Sequence, residues 1–318
     1  MPGASISKST PEQIDRNGDA HAPEFMASIL MGKKPKGVVS EDRTVDGIPI
    51  RIYRPAGAKP LPELVEGPTA NRASTSSASG VVEGPAALPL IVYFHGGGFV
   101  YGDLRGGDWI CGTVAKDLGA VVVSVDYRLA PKNPFPAGVD DCYAMLIWAA
   151  ENAASLGADA ARLGVMGESA GGNLAAVVAL MAGDRKGPVI RHQALLYPAT
   201  GGGDTESRRV NADAFILTAA DMQKFGELYG GDDSDWRVSP LRSESLNGLP
   251  PALIEVAGHD PLHDDGVLYA EALRNAGVEV ELIEYPSMPH GFLNFPRFAR
   301  DAKPGIAAVV EAQRAAFT

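Results

Sequence analysis

Cysteine is scarce in this sequence: Cys111 and Cys142 are the only two among 318 residues. Two thiols are too few for the disulfide framework of a small secreted scaffold, and their spacing is not that of a metal-binding knuckle. Free cysteine commonly packs as a small hydrophobic residue. We therefore expect both residues to be buried, free thiols.

Long apolar runs are also missing. The longest, near residues 88–94 and 120–125, have the length of a strand, whereas about 18 apolar residues are needed to span a bilayer. Residues 1–13 are polar and hold no apolar segment of the kind found in signal peptides. We expect a protein that has no membrane span and is located in the cytoplasm.

Basic residues are fewer than acidic ones, 28 against 39, which gives a net charge of −11. The longest basic cluster is the short KKPK at residues 33–36. A nucleic-acid partner is disfavoured, because binding a phosphate backbone needs a basic stripe. Neither a phosphate-binding G-x-x-x-x-G-K-[ST] nor a G-x-G-x-x-G followed by an acid for the ribose is present. We expect no cofactor and a small molecule as the partner.

Large apolar groups are rare in one internal stretch, residues 59–86, which consists mainly of Pro, Gly, Ser, Thr and Ala. Within it the tetrapeptide Val-Glu-Gly-Pro occurs at residues 65–68 and again at 82–85. Two copies cannot form a solenoid, which needs at least three stacked units. We expect an exposed, flexible insertion that the core does not need.

The rest of the chain alternates between short apolar runs and helical patterns. A weak helical pattern at residues 22–31 and a strand pair at 45–55 precede the insertion. Strands are predicted at residues 90–94, 120–126, 162–166, 193–197, 252–256 and 279–285. Helices are predicted at 109–118, 139–154, 172–181, 266–275 and 305–317. This order indicates a single α/β domain with a mostly parallel sheet between helices, and binding sites in such sheets lie beyond the carboxyl ends of strands.

A candidate nucleophile, Ser169, follows the strand at 162–166 in the sequence Gly-Glu-Ser-Ala-Gly at 167–171. A serine on a sharp turn from strand to helix needs small neighbours, and its hydroxyl projects at a helix N-terminus, where developing negative charge is favoured. The alternative is an ordinary turn, because G-x-S-x-G also occurs by chance in glycine-rich proteins. The position between a strand and a helix favours the nucleophile.

Three glycines follow the strand at 90–94, in the sequence His-Gly-Gly-Gly-Phe at 95–99. The N–H groups of such a loop can point toward one position, as an oxyanion hole requires. We expect the donors to be Gly97, Gly98 and Ala170, the residue after the nucleophile. His95 is expected to hold the glycine loop.

A serine needs a base and an acid to act as a nucleophile. His290 is our candidate base, because it lies between Pro289 and Gly291 in a loop after the last predicted strand. Asp260 is our candidate acid, since it follows the strand at 252–256 directly. Asp264 and Asp265 fall at the start of the next helix, where carboxylates have a structural role.

The segment after residue 256 also permits a metal site, with His259, His263 and an aspartate as ligands. Such a site needs an activated water and a separate general base, which nothing in the sequence indicates. We therefore expect no metal. The order Ser169, Asp260, His290 is that of the α/β-hydrolase fold and not that of the chymotrypsin or subtilisin type.

Taken together, these motifs resemble the hormone-sensitive-lipase-like family of bacterial α/β-hydrolase esterases. The matching stretches are residues 95–99 (HGGGF), 126–131 (DYRLAP), 135–137 (FPA), 167–173 (GESAGGN), 260–262 (DPL), 265–266 (DG) and 290–292 (HGF). The chain departs from the family in the residue before the serine, Glu168, where aspartate or threonine is usual, and in the length of the insertion at 59–86.

The resemblance implies a serine esterase with Ser169, Asp260 and His290 as its triad and Gly97, Gly98 and Ala170 as its oxyanion donors. It also implies a helical cap, formed here by residues 1–44 and about 204–236 of the single domain 1–318, and homodimers are common in the family. Five apolar residues of the second cap segment could line a pocket or pack on the main domain: Phe215, Ile216, Leu217, Met222 and Phe225.

The function expected is a cytoplasmic carboxylesterase that hydrolyses short- to medium-chain acyl esters through an acyl-serine intermediate. The same residues would also serve an amidase, a carbamate hydrolase or a lactone hydrolase. A relative that only binds a small hydrophobic ligand, like the plant hormone receptors of this family, would lack at least one triad residue.

Overall fold

The computed structural model describes residues 6, 10, 32–58 and 87–318. The insertion at 59–86 and the helical pattern at 22–31 lie outside the described residues. Cys111 and Cys142 are both buried and free, as the sequence predicted. In the described part of the chain, no helix is long and apolar enough to cross a membrane.

The described strands form a single eight-stranded sheet in the order β1-β2-β4-β3-β5-β6-β7-β8. Their bounds are β1 Val38–Val45, β2 Ile48–Pro55, β3 Leu88–Phe94, β4 Val121–Val125, β5 Ala158–Glu168, β6 His192–Leu196, β7 Ala252–His259 and β8 Val280–Pro289. The strands β3 to β8 pair in parallel, while β1 and β2 are antiparallel. The predicted α/β architecture with a mostly parallel sheet is confirmed.

The predicted strand pair at 45–55 is wrong at its start, because β1 already begins at Val38 and Val45 is its last residue. The two strands meet in a tight turn at Asp46 and Gly47, both of which have positive φ. Residues 40–44 are polar, because β1 is an edge strand and buries few of its side chains. The sequence therefore shows no apolar pattern that would predict this strand. Residues 38–44 therefore belong to the sheet, and the expected N-terminal cap can include only residues before 38.

Helices cover both faces of the sheet. They are α1 Asp108–Val114, α2 Ala137–Glu151, α3 Ala170–Asp184, α4 Glu206–Val210, α5 Ala219–Tyr229, α6 His263–Asn275 and α7 Ala302–Ala316. One apolar core lies between the sheet and α2, α3 and α6, and the other lies between the sheet and α1 and α7. The continuous valine, isoleucine and leucine runs of the central strands are typical of strands buried on both faces.

Three strands extend further toward their carboxyl ends than the sequence predicted. β5 runs to Glu168, β7 to His259 and β8 to Pro289. As a result, the residues proposed for chemistry follow these strands without an intervening loop. The segment between β6 and β7 holds α4 and α5, which lie above this edge of the sheet.

Candidate active site

Ser169 is the one residue between β5 and α3. Its φ of 54° and ψ of −118° are unusual for a residue with a side chain, and such strained backbone often occurs at functional positions. A Cβ at Gly167 would overlap the carbonyl of Gly171, and one at Gly171 would overlap the carbonyl of Phe94. Both glycines are therefore required, and they let β5 turn into α3 within a single residue.

The structure brings together the three residues proposed as a triad. His290 Nε2 lies 2.9 Å from Ser169 Oγ, and His290 Nδ1 lies 2.7 Å from Asp260 Oδ2. The other carboxylate oxygen of Asp260 accepts the N–H of Leu262 at 2.8 Å. Asp260 is fully buried, and each of its carboxylate oxygens has a hydrogen-bond partner. This arrangement orients the imidazole so that one nitrogen faces the serine hydroxyl.

The glycine loop after β3 turns back on itself beside the nucleophile. The carbonyl of Gly97 accepts the N–H groups of Val100 at 3.1 Å and Tyr101 at 2.9 Å. Gly97 and Gly98 have φ of 123° and 63°, and a Cβ at Gly97 would overlap the carbonyl of Tyr101. Within the described residues, no acceptor is bonded to the N–H groups of Gly97, Gly98 and Ala170. These donors line the same cavity as Ser169 and are open to a ligand.

His95 lies beneath this loop, where the sequence predicted it. Its Nδ1 lies 2.8 Å from the carbonyl oxygen of Gly96, and its ring stacks on Tyr127 with a centroid distance of 4.3 Å. The Tyr127 hydroxyl donates to the His95 carbonyl at 2.7 Å. His95 is 1% exposed and therefore supports the loop from inside the core.

Sequence reasoning missed the contacts of Glu168. This buried carboxylate accepts hydrogen bonds from the hydroxyls of Tyr93 at 3.0 Å and Tyr197 at 2.9 Å, from the Asn294 side chain, and from the N–H of Gly96 at 3.4 Å. Burial, and after it the Glu168 charge, raises the pKa of both tyrosines well above the ordinary value, so their hydroxyls remain donors. No signal in the sequence pointed to these contacts, because they depend on which strands are neighbours in the sheet.

A cavity of about 1070 Å³ opens above Ser169. We call the strand-end segments below it the floor: residues 95–98, 168–170, 260 and 290. We call residues 204–236 above it the roof. Four of the five apolar roof residues proposed for the pocket line the cavity: Ile216, Leu217, Met222 and Phe225. Phe215 does not, because its side chain is 84% exposed and faces a separate surface groove.

An ion pair connects the roof to helix α6. Asp265 of α6 is fully buried and pairs with Arg208 of α4 at 2.9 Å. The same carboxylate accepts the backbone N–H groups of Thr200, Gly201 and Gly202 at 2.9–3.1 Å. Asp265 thus lies at the start of a helix, as expected, and also fixes the chain where it enters the roof.

The histidines considered as metal ligands lie near the same edge. His263 contacts Asp264 at 2.9 Å and Glu284 at 3.4 Å, and His259 is exposed at the end of β7. Across the residues that the structure describes, no group of three or more His, Cys, Asp or Glu side chains could hold a metal ion.

Comparison with known proteins gives consistent matches. A family model described as the alpha/beta hydrolase fold matches residues 91–294. The chain is 46% identical over 239 residues to carboxylesterase NlhH of Mycobacterium tuberculosis, covering 72% of this chain and 75% of that protein. It is 36% identical over 302 residues to an ethyl acetate hydrolase of Pseudomonas putida, covering 91% of this chain and 86% of that protein. The solved structure of a hyperthermophilic esterase from the archaeon Pyrobaculum calidifontis matches with a TM-score of 0.78 and 34% identity, covering 99% and 92% of the two chains.

Proposed function

The chain belongs to the hormone-sensitive-lipase-like family of α/β-hydrolases and hydrolyses carboxylic esters, and from this premise we propose that Ser169, His290 and Asp260 carry out the reaction. The observation that supports these roles best is the continuous chain of hydrogen bonds from Ser169 Oγ through the His290 ring to Asp260. A complete set of three such residues also argues against a relative that only binds its ligand.

Acylation is the first half of the proposed reaction. His290 Nε2 removes the proton of Ser169 Oγ as this oxygen attacks the ester carbonyl carbon. The negative charge that develops on the carbonyl oxygen is held by the N–H groups of Gly97, Gly98 and Ala170. The bond to the alcohol oxygen then breaks, and the proton held by His290 passes to the departing alcohol. Ionised Asp260 stabilises the imidazolium while it carries that proton.

Deacylation repeats these steps with water in place of the serine hydroxyl. His290 removes a proton from the water as its oxygen attacks the acyl carbonyl, and the same N–H groups hold the second oxyanion. Collapse of this intermediate breaks the bond to Ser169 Oγ, which takes the proton back from His290. The carboxylic acid leaves, and the free serine is regenerated.

The substrates we propose are short- to medium-chain acyl esters. Apolar roof residues face the cavity, and such a lining suits an alkyl or aryl group next to a single polar centre. The name of the Pseudomonas putida relative, an ethyl acetate hydrolase, supports the short end of this range. Amides, carbamates and lactones present the same kind of carbonyl, so the test below includes amides.

The test is Ser169→Ala, assayed with p-nitrophenyl esters of increasing acyl length and with the matched p-nitroanilides. We expect kcat/KM to fall by at least about 10⁴-fold with the fold retained, because the nucleophile is lost. The exposed Ser155→Ala is the matched control and should keep wild-type rates. More than trace hydrolysis by folded Ser169→Ala would contradict the proposal, and anilides cleaved as fast as esters would make the protein an amidase.

We also propose that the residues before 38 and the roof together form a cap over the active site. The position of the roof above Ser169 supports its part in this cap. The cytoplasmic location and the homodimer expected from the sequence stay predictions.

A further inference from the structure

Glu168 is a charged residue for which the proposed reaction has no use. It is the last residue of β5, directly before the nucleophile, and its side chain is 4% exposed. Removing a carboxylate from water is costly unless hydrogen bonds replace the lost hydration. The surroundings of Glu168 supply four such bonds, all of them from donors.

The two oxygens of this carboxylate serve two different parts of the floor. Oε1 accepts from the Tyr93 hydroxyl on β3 and from the N–H of Gly96, the residue that begins the glycine loop. Oε2 accepts from Tyr197, which follows β6, and from Asn294, which lies in the short helix after His290. One side chain therefore joins segments from three parts of the chain, and the most distant of its partners, Asn294, is 126 residues away in the sequence.

The hydrogen bonds to Oε1 hold the glycine loop that carries the oxyanion donors. Gly96 lies so close to the nucleophile that a Cβ there would be 3.1 Å from the Glu168 carbonyl oxygen and 3.3 Å from Ser169 Cβ. Gly97 and Gly98 follow it directly, so the position of Gly96 determines where their N–H groups point. Loss of the bonds to Oε1 would let these donors move relative to the serine.

The hydrogen bonds to Oε2 hold two residues that lie next to His290, the proposed base. The Tyr197 ring meets the His290 ring edge to face, with a centroid distance of 5.1 Å and an angle of 68°. Asn294 belongs to the single helical turn Phe292–Asn294, which begins two residues after His290. Both donors bound by Oε2 thus contact the residue that must face Ser169: Tyr197 holds the ring of His290, and Asn294 holds its loop.

We propose that Glu168 is a positioning residue that holds the oxyanion loop and the histidine loop at fixed positions relative to Ser169. This inference rests on the proposed function. A carboxylate suits this position because it accepts hydrogen bonds and donates none. Its two oxygens offer about four lone-pair positions, which matches the four donors around it. Glutamine would turn an NH₂ group toward two donors, and aspartate would keep the acceptors but reach one methylene less far.

The experiment compares Glu168→Gln with the wild type, using the exposed Glu151→Gln as control. The active-site concentration is titrated with a p-nitrophenyl alkylphosphonate, so that rates refer to competent sites. For Glu168→Gln we expect kcat per active site to fall by about 10- to 100-fold, with KM within about 3-fold, because misplaced donors and base affect the transition state more than substrate binding. Glu168→Asp should recover part of the lost kcat.

Two further variants test the roles of the two carboxylate oxygens one at a time. They also keep the inference testable if Glu168→Gln does not fold. Tyr93→Phe should weaken binding of an alkyl trifluoromethyl ketone, which places an oxyanion in the hole, more than binding of the product alcohol. Tyr197→Phe should displace the acidic limb of the pH profile of kcat/KM, which reports the His290 base.

A structural role alone would give a different result. Glu168→Gln, Tyr93→Phe and Tyr197→Phe would then lower the titratable fraction or the melting temperature, while kcat per active site, ketone affinity and the pH profile stayed at wild-type values. That result would overturn the inference but leave the proposed function intact, provided that Ser169→Ala is inactive. An active Ser169→Ala would instead contradict the proposed function itself.

Discussion

The floor and the roof of the cavity are held in place by different kinds of interaction. The floor is fixed by directed hydrogen bonds between buried polar groups, such as those of Asp260 and Glu168. The roof combines apolar packing, by Phe225, Leu228 and Tyr229, with polar contacts. The polar contacts include the ion pair between Arg208 and Asp265 and a hydrogen bond from the Asn211 side chain to the carbonyl of Asp260. Reacting groups must be placed within fractions of an ångström, whereas apolar contact is non-directional and tolerates changes of shape. Changes to the floor should therefore affect the rate, and changes to the roof should affect substrate preference.

Among the changes that test this comparison, the largest effect is expected where the roof touches the floor. The Phe225 ring packs directly on Gly98, so that a Cβ there would overlap the ring. Gly98→Ala should lower kcat by about 10²- to 10³-fold, because it displaces an oxyanion donor. Steady-state kinetics with a p-nitrophenyl ester measure this loss.

Two variants separate the possible causes of that loss. Gly47→Ala places the same Cβ on a glycine with φ of 82° and open space around it, so it should keep full activity. The double variant Gly98→Ala/Phe225→Ala should regain part of kcat if the collision with the roof is responsible. No gain in the double variant would mean that backbone strain at residue 98 causes the loss, and the contact between floor and roof would not matter.

A smaller effect is expected from the roof alone. Phe225→Ala enlarges the cavity above the oxyanion loop, and kcat/KM for a long-chain ester relative to a short-chain one should rise by about 10-fold. The change is measured with p-nitrophenyl esters whose acyl chain runs from acetate to decanoate, and with acetate esters of a matched series of alkyl alcohols. Phe215→Ala is the control, because this exposed roof residue faces away from the cavity. If Phe225→Ala lost much of its kcat for every ester, the roof would control the rate as well as the substrate preference, and the distinction between floor and roof would fail.

The smallest effect on catalysis, but a clear one on stability, is expected at Glu255 of β7. Like Glu168 it is a buried carboxylate, but within the described residues its side chain accepts a single hydrogen bond, from Tyr285 at 3.1 Å. Burial raises the pKa of Glu255 from 4.5 to about 8. The folded state therefore holds a proton that the unfolded state releases, and stability falls as the pH rises from 4.5 to about 8, by at most about 1.4 kcal/mol per pH unit.

Glu255→Gln should remove this fall, because the amide cannot ionise. Urea unfolding at several pH values between 5 and 8.5 compares the variant with the wild type, and the exposed Glu271→Gln serves as control. We expect the advantage of Glu255→Gln over the wild type to grow with pH and kcat to stay within about 2-fold. A difference that does not vary with pH would show that Glu255 is ionised in the folded protein.

The sequence could predict those parts of the floor that depend on neighbours along the chain. Gly167 and Gly171 must lack side chains because β5 and α3 meet at Ser169, and this requirement is local. The order of Ser169, Asp260 and His290, each after a strand, is likewise visible in the sequence. These residues come together because the carboxyl ends of parallel strands share one edge of a sheet.

The remaining features depend on which strands become neighbours. Glu168 meets Tyr93, Tyr197 and Asn294 because β3 and β6 flank β5 and the loop after β8 folds back over them, and the spacing of residues does not encode this order. In the roof, Phe215 faces solvent whereas Ile216 faces the cavity. Neither lies in a helix or strand, so no periodicity could tell them apart.

Asp260 and His290 follow the last two strands of the sheet directly, and this position has a consequence for the folding of the chain. Synthesis from the N-terminus completes β3, β5 and the glycine loop well before β7 and β8. A chain that has reached Gly277 already contains the nucleophile and its oxyanion donors, but no histidine that could activate it. Since β8 is one of the two edge strands of the described sheet, hydrolysis can begin only after this edge has docked. The appearance of esterase activity during folding therefore reports that the β8 edge of the sheet is assembled.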